Sequence, residues 1–172
     1  GRKAQLDRDG LRVESVHGDF TVKVDARLAE DLRSPADYVL LTCKAYDLDS
    51  AIQTIKPAVG PKTAIVPLLN GMSHIDRLNE VFGKERVLGG MAQIAVTLLP
   101  DGLVKHLNDW NTITFGERDG TMSPRVEALK SAFDKTRGKA NAVAVPDIMQ
   151  KMWEKIVMLS TLASVTTLMR AN

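Results

Sequence analysis

The sequence predicts an α/β fold, and three features carry that prediction. Short apolar runs rich in β-branched residues recur along the chain, segments with helical spacing lie between them, and a long helical stretch follows Pro146. Runs such as YVLLTC are continuous rather than alternating, as strands buried on both faces are, so the central sheet is expected to be mostly parallel.

Each element has its own signal. Residues 10–15 (GLRVES) and 20–24 (FTVKV) alternate apolar with polar side chains around His17-Gly18-Asp19, which reads as a β-hairpin. Residues 38–43 (YVLLTC) make the first buried strand, and Leu48, Ala51, Ile52 and Ile55 follow at helical spacing. Residues 64–69 (AIVPLL) read as another buried strand, although Pro67 has no N–H to give a ladder. Asn70-Gly71 ends it, and residues 75–82 form a short helix. Strands are expected over 87–96 and 104–107, either side of the Pro100-Asp101-Gly102 turn, and again over 112–115 (TITF). Val126, Leu129 and Phe133 share one face of a helix over 125–136, and 142–145 is a last short strand. Pro146-Asp147 opens the longest helix at Ile148, with Asp147 as its N-cap, and a domain boundary is expected there.

Composition narrows the function classes. With 172 residues, 44% of them hydrophobic, the chain can bury a sizeable core. A net charge of +2 is too small to point to nucleic acid or a membrane surface as partner. No apolar run approaches the roughly 18 residues of a spanning helix. A single cysteine, Cys43, excludes an intrachain disulfide framework and fits a reducing cytoplasm, and no Cys/His spacing suggests a metal site. The chain starts without Met or a signal-like segment and stops inside a helical pattern, so both ends are expected to be cut.

Three positions invite chemistry. In open α/β sheets ligands collect beyond the carboxyl ends of the strands. YVLLTC delivers Lys44-Ala45-Tyr46 there, and AIVPLL delivers Asn70-Gly71-Met72, offering donors to a phosphate, ribose or carboxylate. Equally, Lys44 suits a solvated loop, and Asn-Gly is a turn pair that tolerates positive φ. The third is Lys155 in MWEKIVMLSTLASVTTLM, residues 152–169, after which no charge occurs up to Met169. It either snorkels over the core or projects into a cleft as a proton donor. Lys151, one turn earlier, and the apolar Met152, Trp153 and Ile156 would all lower its pKa. Cys43 reads either as a thiolate favoured by Lys44 or as a small buried residue. His17 and His106 read as hairpin and strand residues, His74 as a helix-start residue, and no Ser/His/Asp set or carboxylate pair is evident.

The motifs CKAYD at 43–47, LLNGM at 68–72, VLGGMAQ at 87–93, Asp101-Gly102 with Val104 and His106, TFGE at 114–117 and WEK at 153–155 come in a fixed order. Together they resemble the ketopantoate reductase (2-dehydropantoate 2-reductase) family over nearly the whole chain. LDRDGLRV at 6–13 is similar to the segment after that family's second strand, which puts the Gly-rich phosphate loop upstream of Gly1. The resemblance implies an incomplete Rossmann-like, NADP-binding domain over residues 1–145. The first helix of an all-helical substrate domain would follow over 146–172. The implied reaction is NADPH-dependent reduction of ketopantoate or a related 2-oxo acid to the 2-hydroxy acid, a step of pantothenate biosynthesis. A homodimer is compatible with it, and the 172-residue chain alone is expected to have little activity.

Roles carry over position by position. Lys155 looks like the catalytic lysine that protonates the carbonyl oxygen. Lys44 looks like the lysine lining the cofactor cleft, and Asn70 like the asparagine beside nicotinamide and substrate. Arg2 is similar to the arginine for the adenosine 2′-phosphate, a role that the residue before Gly1 could equally fill. The chemistry asks for such a lysine independently, because hydride addition builds negative charge on a ketone oxygen. The family usually has substrate-binding asparagines four and eight residues after the lysine, where this chain has Leu159 and Ala163. Those side chains cannot hydrogen-bond, which points to a bulkier or more apolar 2-oxo acid. Ser160, Ser164, Thr166 and Thr167 add hydroxyls of unassigned facing. The family's substrate-binding serine and catalytic glutamate would lie beyond Asn172. Two alternatives stand beside this: a non-catalytic binding module on the same scaffold, and a related hydroxy-acid dehydrogenase with a Lys and Asn in its cleft.

Overall fold

The computed structural model describes residues 1–136 and 140–170. Residues 137–139 of the expected first domain and 171–172 of the expected helical segment lie outside the described residues. The chain opens with a helix that has no apolar signature, α1 (Arg2–Asp9), which buries no residue. Its polar side chains hold it instead: Arg2 donates to the Gly102 carbonyl at 2.9 Å and Gln5 to the Asp101 carbonyl at 2.7 Å. Gly10 ends it at φ 73, where a Cβ would stand 2.7 Å from the Val22 carbonyl oxygen. The hairpin follows as β1 (Leu11–Glu14) and β2 (Phe20–Val22), antiparallel with Val13 opposite Phe20.

β3 (Tyr38–Leu41) and β4 (Ala64–Pro67) pair in parallel, joined through α2 (Leu48–Ile55). β4 is buried along its whole length, as its apolar run requires. Pro67 is accommodated because it is the last residue of the strand, and the next amide, Leu68, donates to the Leu41 carbonyl. α3 (Ser73–Phe82) packs Ile75, Leu78 and Phe82 into the core. The chain then returns along β4, where Ile65 faces Val87 in a parallel bridge.

β5 (Gly89–Leu98) and β6 (Val104–Gly116) form a long antiparallel ladder. The two strands expected over 104–107 and 112–115 are thus one, corrected by a bulge where pairing moves from Ile94–Asn111 to Val96–His106. Asn108-Asp109-Trp110 has turn composition, but it is held within the strand. The His106 ring bonds the Trp110 carbonyl, and the Trp110 amide donates to Asn108 Oδ1. The other edge of β6 takes β1 at its start and β7 (Asn141–Ala144) at its end, both parallel. The strands thus form two sheets: a five-stranded one that is mixed rather than mostly parallel, with β1–β2 and β5–β6 antiparallel, and the two-stranded parallel pair β3–β4.

α4 (Pro124–Asp134) starts at a side-chain cap, Ser123, and lays Val126 and Leu129 on the Phe115 side of the sheet. α5 (Ile148–Met169) follows without one. Asp147 does not cap it, because its backbone at φ −101, ψ 32 is not extended; its carboxylate lies 3.8 Å from the Lys151 ammonium instead. Ile148 and Met152 are buried in the core, while Val157, Leu162 and Leu168 on the distal half are exposed.

Gly89 makes that docking fit. A Cβ there would lie 2.8 Å from both Cγ atoms of Ile148 and 3.4 Å from Met152 Sδ. Gly89→Ala is expected to cost about 1–3 kcal/mol through overpacking, read as a lower denaturant midpoint, and to move α5 outward. An unchanged midpoint would show that α5 does not need this close approach.

Candidate active site

Two strand ends and one helix build the site. β3 runs out at Leu41, and the chain continues extended through Lys44, which is exposed. β4 runs out at Pro67, and Asn70 follows on an exposed turn that Gly71 completes at φ 96. α5, seated on Gly89, brings Lys155 over this turn. The Lys155 ammonium donates to Asn70 Oδ1 at 2.8 Å and to the Ala92 carbonyl of β5 at 2.7 Å. Residues 85 positions apart in sequence thus meet as a pair.

The geometry fixes what each group has left to offer. An ammonium has three N–H donors; two are engaged, leaving one for a ligand. Because Asn70 Oδ1 accepts from Lys155, its amide orientation is set, and Nδ2 remains as a donor. Burial lowers the Lys155 pKa from the ordinary lysine value, which eases proton donation. Lys151 is not the cause. It is paired with Glu154 at 3.2 Å and with Asp147, which raise its own pKa. The desolvating residues also differ from expectation: Met152 and Ile156 line the crevice around Lys155, whereas Trp153 is 54% exposed.

Asn70 stands at the junction of two concavities. One, of about 540 Å³, is lined by Thr42, Lys44, Leu68, Asn70, Ala92 and the bulged stretch from Ile94 to Val96. The other, of about 440 Å³, runs along α5 and is lined by Asn70, Gly71, Ile156, Leu159, Ser160 and Ala163. The structure thus gathers Lys44, Asn70, Lys155, Leu159 and Ala163 around one place. Arg2 is not among the residues lining either cleft; its guanidinium is bonded to Gly102 and Gln5. Of the hydroxyls on α5, Ser160 lines the cleft, while Thr166 bonds back to the Leu162 carbonyl.

The remaining candidates settle into the scaffold. The Cys43 side chain packs at the core edge, and burial pushes its thiol pKa up, away from thiolate. His74, in the first turn of α3, is buried with Nε2 unpaired among the described residues, and burial holds its pKa down. The TFGE motif is explained by packing: a Cβ on Gly116 would stand 2.1 Å from the Val145 carbonyl oxygen. Burial pushes the Glu117 pKa up, but Arg125 and Ser123 bond its carboxylate and hold it below the ordinary value. A third concavity, about 490 Å³, opens there, but its arginines are engaged, Arg118 with the Val87 and Lys84 carbonyls and Arg125 with Glu117 and the Glu85 carbonyl. The Ala92 carbonyl was beyond the reach of sequence reasoning, since a backbone acceptor has no side-chain signal. Among the described residues, no His, Cys, Asp and Glu group is placed to hold a metal ion, and no helix is long and apolar enough to cross a membrane.

Fold and site together define an α/β protein whose following helix returns a lysine to the cleft beyond the strand ends. A profile of the family described as ketopantoate reductase PanE/ApbA matches residues 1–120. The chain belongs to that family. It is 32% identical to a Bacillus subtilis protein named "Uncharacterized oxidoreductase YkpB", over 97% of this chain and 54% of that one. A Caulobacter vibrioides 2-dehydropantoate 2-reductase is 25% identical over 87% of this chain and 49% of its own. The crystal structure of 2-dehydropantoate 2-reductase from Geobacter metallireducens matches with a TM-score of 0.77 at 30% identity, covering 88% of this chain and 50% of that one. The Methylococcus capsulatus enzyme of the same name matches with a TM-score of 0.83 at 26% identity, over 97% and 54%. The chain spans about half the length of the curated relatives it matches. Its fold is that of the Rossmann-like α/β part of these structures, continued by a helical segment.

Proposed function

We propose that the intact protein reduces a 2-oxo acid to the 2-hydroxy acid with a nicotinamide dinucleotide, NADPH in preference to NADH. Residues 1–145 would belong to the NADP-binding part and α5 would open the helical substrate part. The observation that carries this is the Lys155–Asn70 pair standing between two clefts. A cleft beyond parallel strand ends suits a dinucleotide, and the larger cleft offers the Lys44 ammonium and Asn70 amide beside the apolar Ile94 and Val96. That mixture fits a heteroaromatic ring on a charged, hydroxylated arm. When bound, the cofactor supplies the hydride.

This chain's residues do the rest. The free N–H of Lys155 is the donor for the carbonyl oxygen, stabilising the charge that grows there and then giving up the proton. The Ala92 carbonyl and Asn70 Oδ1 hold the ammonium in place, so little freedom is lost when substrate arrives. Asn70 Nδ2 orients the acid at the boundary of the two clefts. The spare donors on both residues favour a catalytic site over a binding module without chemistry.

The test is a panel of 2-oxo acids assayed with NADPH and with NADH on the intact protein. Turnover is expected, with kcat/KM at least about 10-fold higher for NADPH, equivalent to one 1.4 kcal/mol step. Equal efficiency with both cofactors would remove the NADPH assignment and, with it, any role for Arg2 at a 2′-phosphate. No turnover of any acid would sink the reductase function.

A further inference from the structure

Resting on that proposed function, we infer that the acid carries an apolar, branched side group with no hydroxyl, seated along α5 against Ile156, Leu159 and Ala163. These residues line the cleft of about 440 Å³ that begins at Asn70. Lys155, Leu159 and Ala163 fall at successive four-residue steps of one helix, so the cleft continues directly from the proton donor. Leu159 also lines the crevice that holds Lys155, which ties the apolar wall to the reacting end.

Among the described residues, polar groups there are few. The carboxylate and carbonyl of any 2-oxo acid call on Lys155, Asn70 and Ser160, and the rest of the wall is Gly71, Ile156, Leu159 and Ala163. A further hydroxyl on the substrate would lie against the aliphatic carbons of Ile156, Leu159 and Ala163 rather than against a hydrogen-bonding side chain. A hydroxyl laid against those carbons loses water on that side without gaining a partner, so it is disfavoured. A methyl group in the same place instead gains by covering apolar wall. The cleft therefore selects against ketopantoate, whose terminal carbon bears a hydroxyl, and for its deoxygenated counterpart.

Two acids of the same carbon skeleton make the test: ketopantoate and 3,3-dimethyl-2-oxobutanoate, which lacks only the hydroxyl. With NADPH and the intact protein, kcat/KM is expected to be about 10-fold or more higher for 3,3-dimethyl-2-oxobutanoate, within the range an apolar pocket discriminates. Leu159→Asn, which places an amide on the half-exposed wall, is expected to move the ratio toward ketopantoate by a similar factor. Ala163→Asn is the second variant should the first fold poorly. Equal or better use of ketopantoate by the parent overturns the inference while the reductase function stands. An unchanged ratio in a folded variant overturns it too, because the wall would then not touch the side group. Turnover of neither these nor any other 2-oxo acid overturns the function itself, and the inference with it.

Discussion

Lys155→Met in the intact protein is expected to lower kcat by on the order of 10²-fold or more, the scale on which general acid catalysis contributes. The substitution keeps an apolar stem of similar length in the crevice formed by Leu69, Met91, Met152 and Ile156, so packing of α5 should survive. What disappears is the ammonium and its free N–H. Cofactor affinity should change little, because the Lys155 side chain does not line the larger cleft. The pH profile supplies a second readout. On the proposed role the protonated lysine is the competent form, so kcat should fall as pH rises through its pKa. Burial lowers that pKa, and the fall should therefore begin below the ordinary lysine value of about 10.4. In Lys155→Met this alkaline limb should be gone. Lys151→Met is the control one turn away, a half-exposed residue paired with Glu154, and should behave like the parent. A Lys155→Met enzyme with parental kcat would mean that this lysine merely snorkels.

Much of the scaffold was legible because burial writes itself into residue type. AIVPLL read as a buried strand, and β4 is inaccessible throughout; YVLLTC read as one too, and β3 forms there, but it is only partly buried, with Leu40 facing solvent. α1 was illegible for the converse reason: it buries nothing, so no apolar stripe marks it, and it is held by Arg2 and Gln5 reaching the Asp101-Gly102 carbonyls. The single long strand β6 was divided because Asn108 and Asp109 have turn chemistry, which here serves a bulge. At the site, side-chain identity pointed to Lys44, Asn70 and Lys155, but not to their arrangement. The Lys155–Asn70 bond depends on the crossing of α5 over β5, which Gly89 permits through the absence of a Cβ. The direction of the Lys155 pKa was expected, its cause only in part. Desolvation lowers it, while the neighbouring Lys151 is neutralised by acidic partners that spacing alone did not reveal.

Asn70→Ala should reduce kcat/KM for the acid by on the order of 10-fold or more while leaving the fold intact. Asn70 is exposed at a strand end and contributes no core contact, so the denaturant midpoint should hold. Two functions are lost together. The proposed Nδ2 donor to substrate goes, and so does the acceptor at 2.8 Å that holds the Lys155 ammonium. Hydrogen bonds to charged groups contribute about 1.5–3 kcal/mol, roughly 10- to 150-fold. Lys155 keeps the Ala92 carbonyl, so it should be loosened rather than released. Asn70→Asp separates the two roles. A carboxylate beside the ammonium favours its charged form, so the alkaline limb of kcat should shift to higher pH and proton donation should slow. Its negative charge would also repel the substrate carboxylate, raising KM. If Asn70→Ala lowers the denaturant midpoint yet binds cofactor and acid normally when folded, Asn70 is a turn residue and the substrate is oriented by other groups. If Asn70→Asp leaves both KM and the pH profile of the parent, the hydrogen bond to Lys155 has no part in the chemistry.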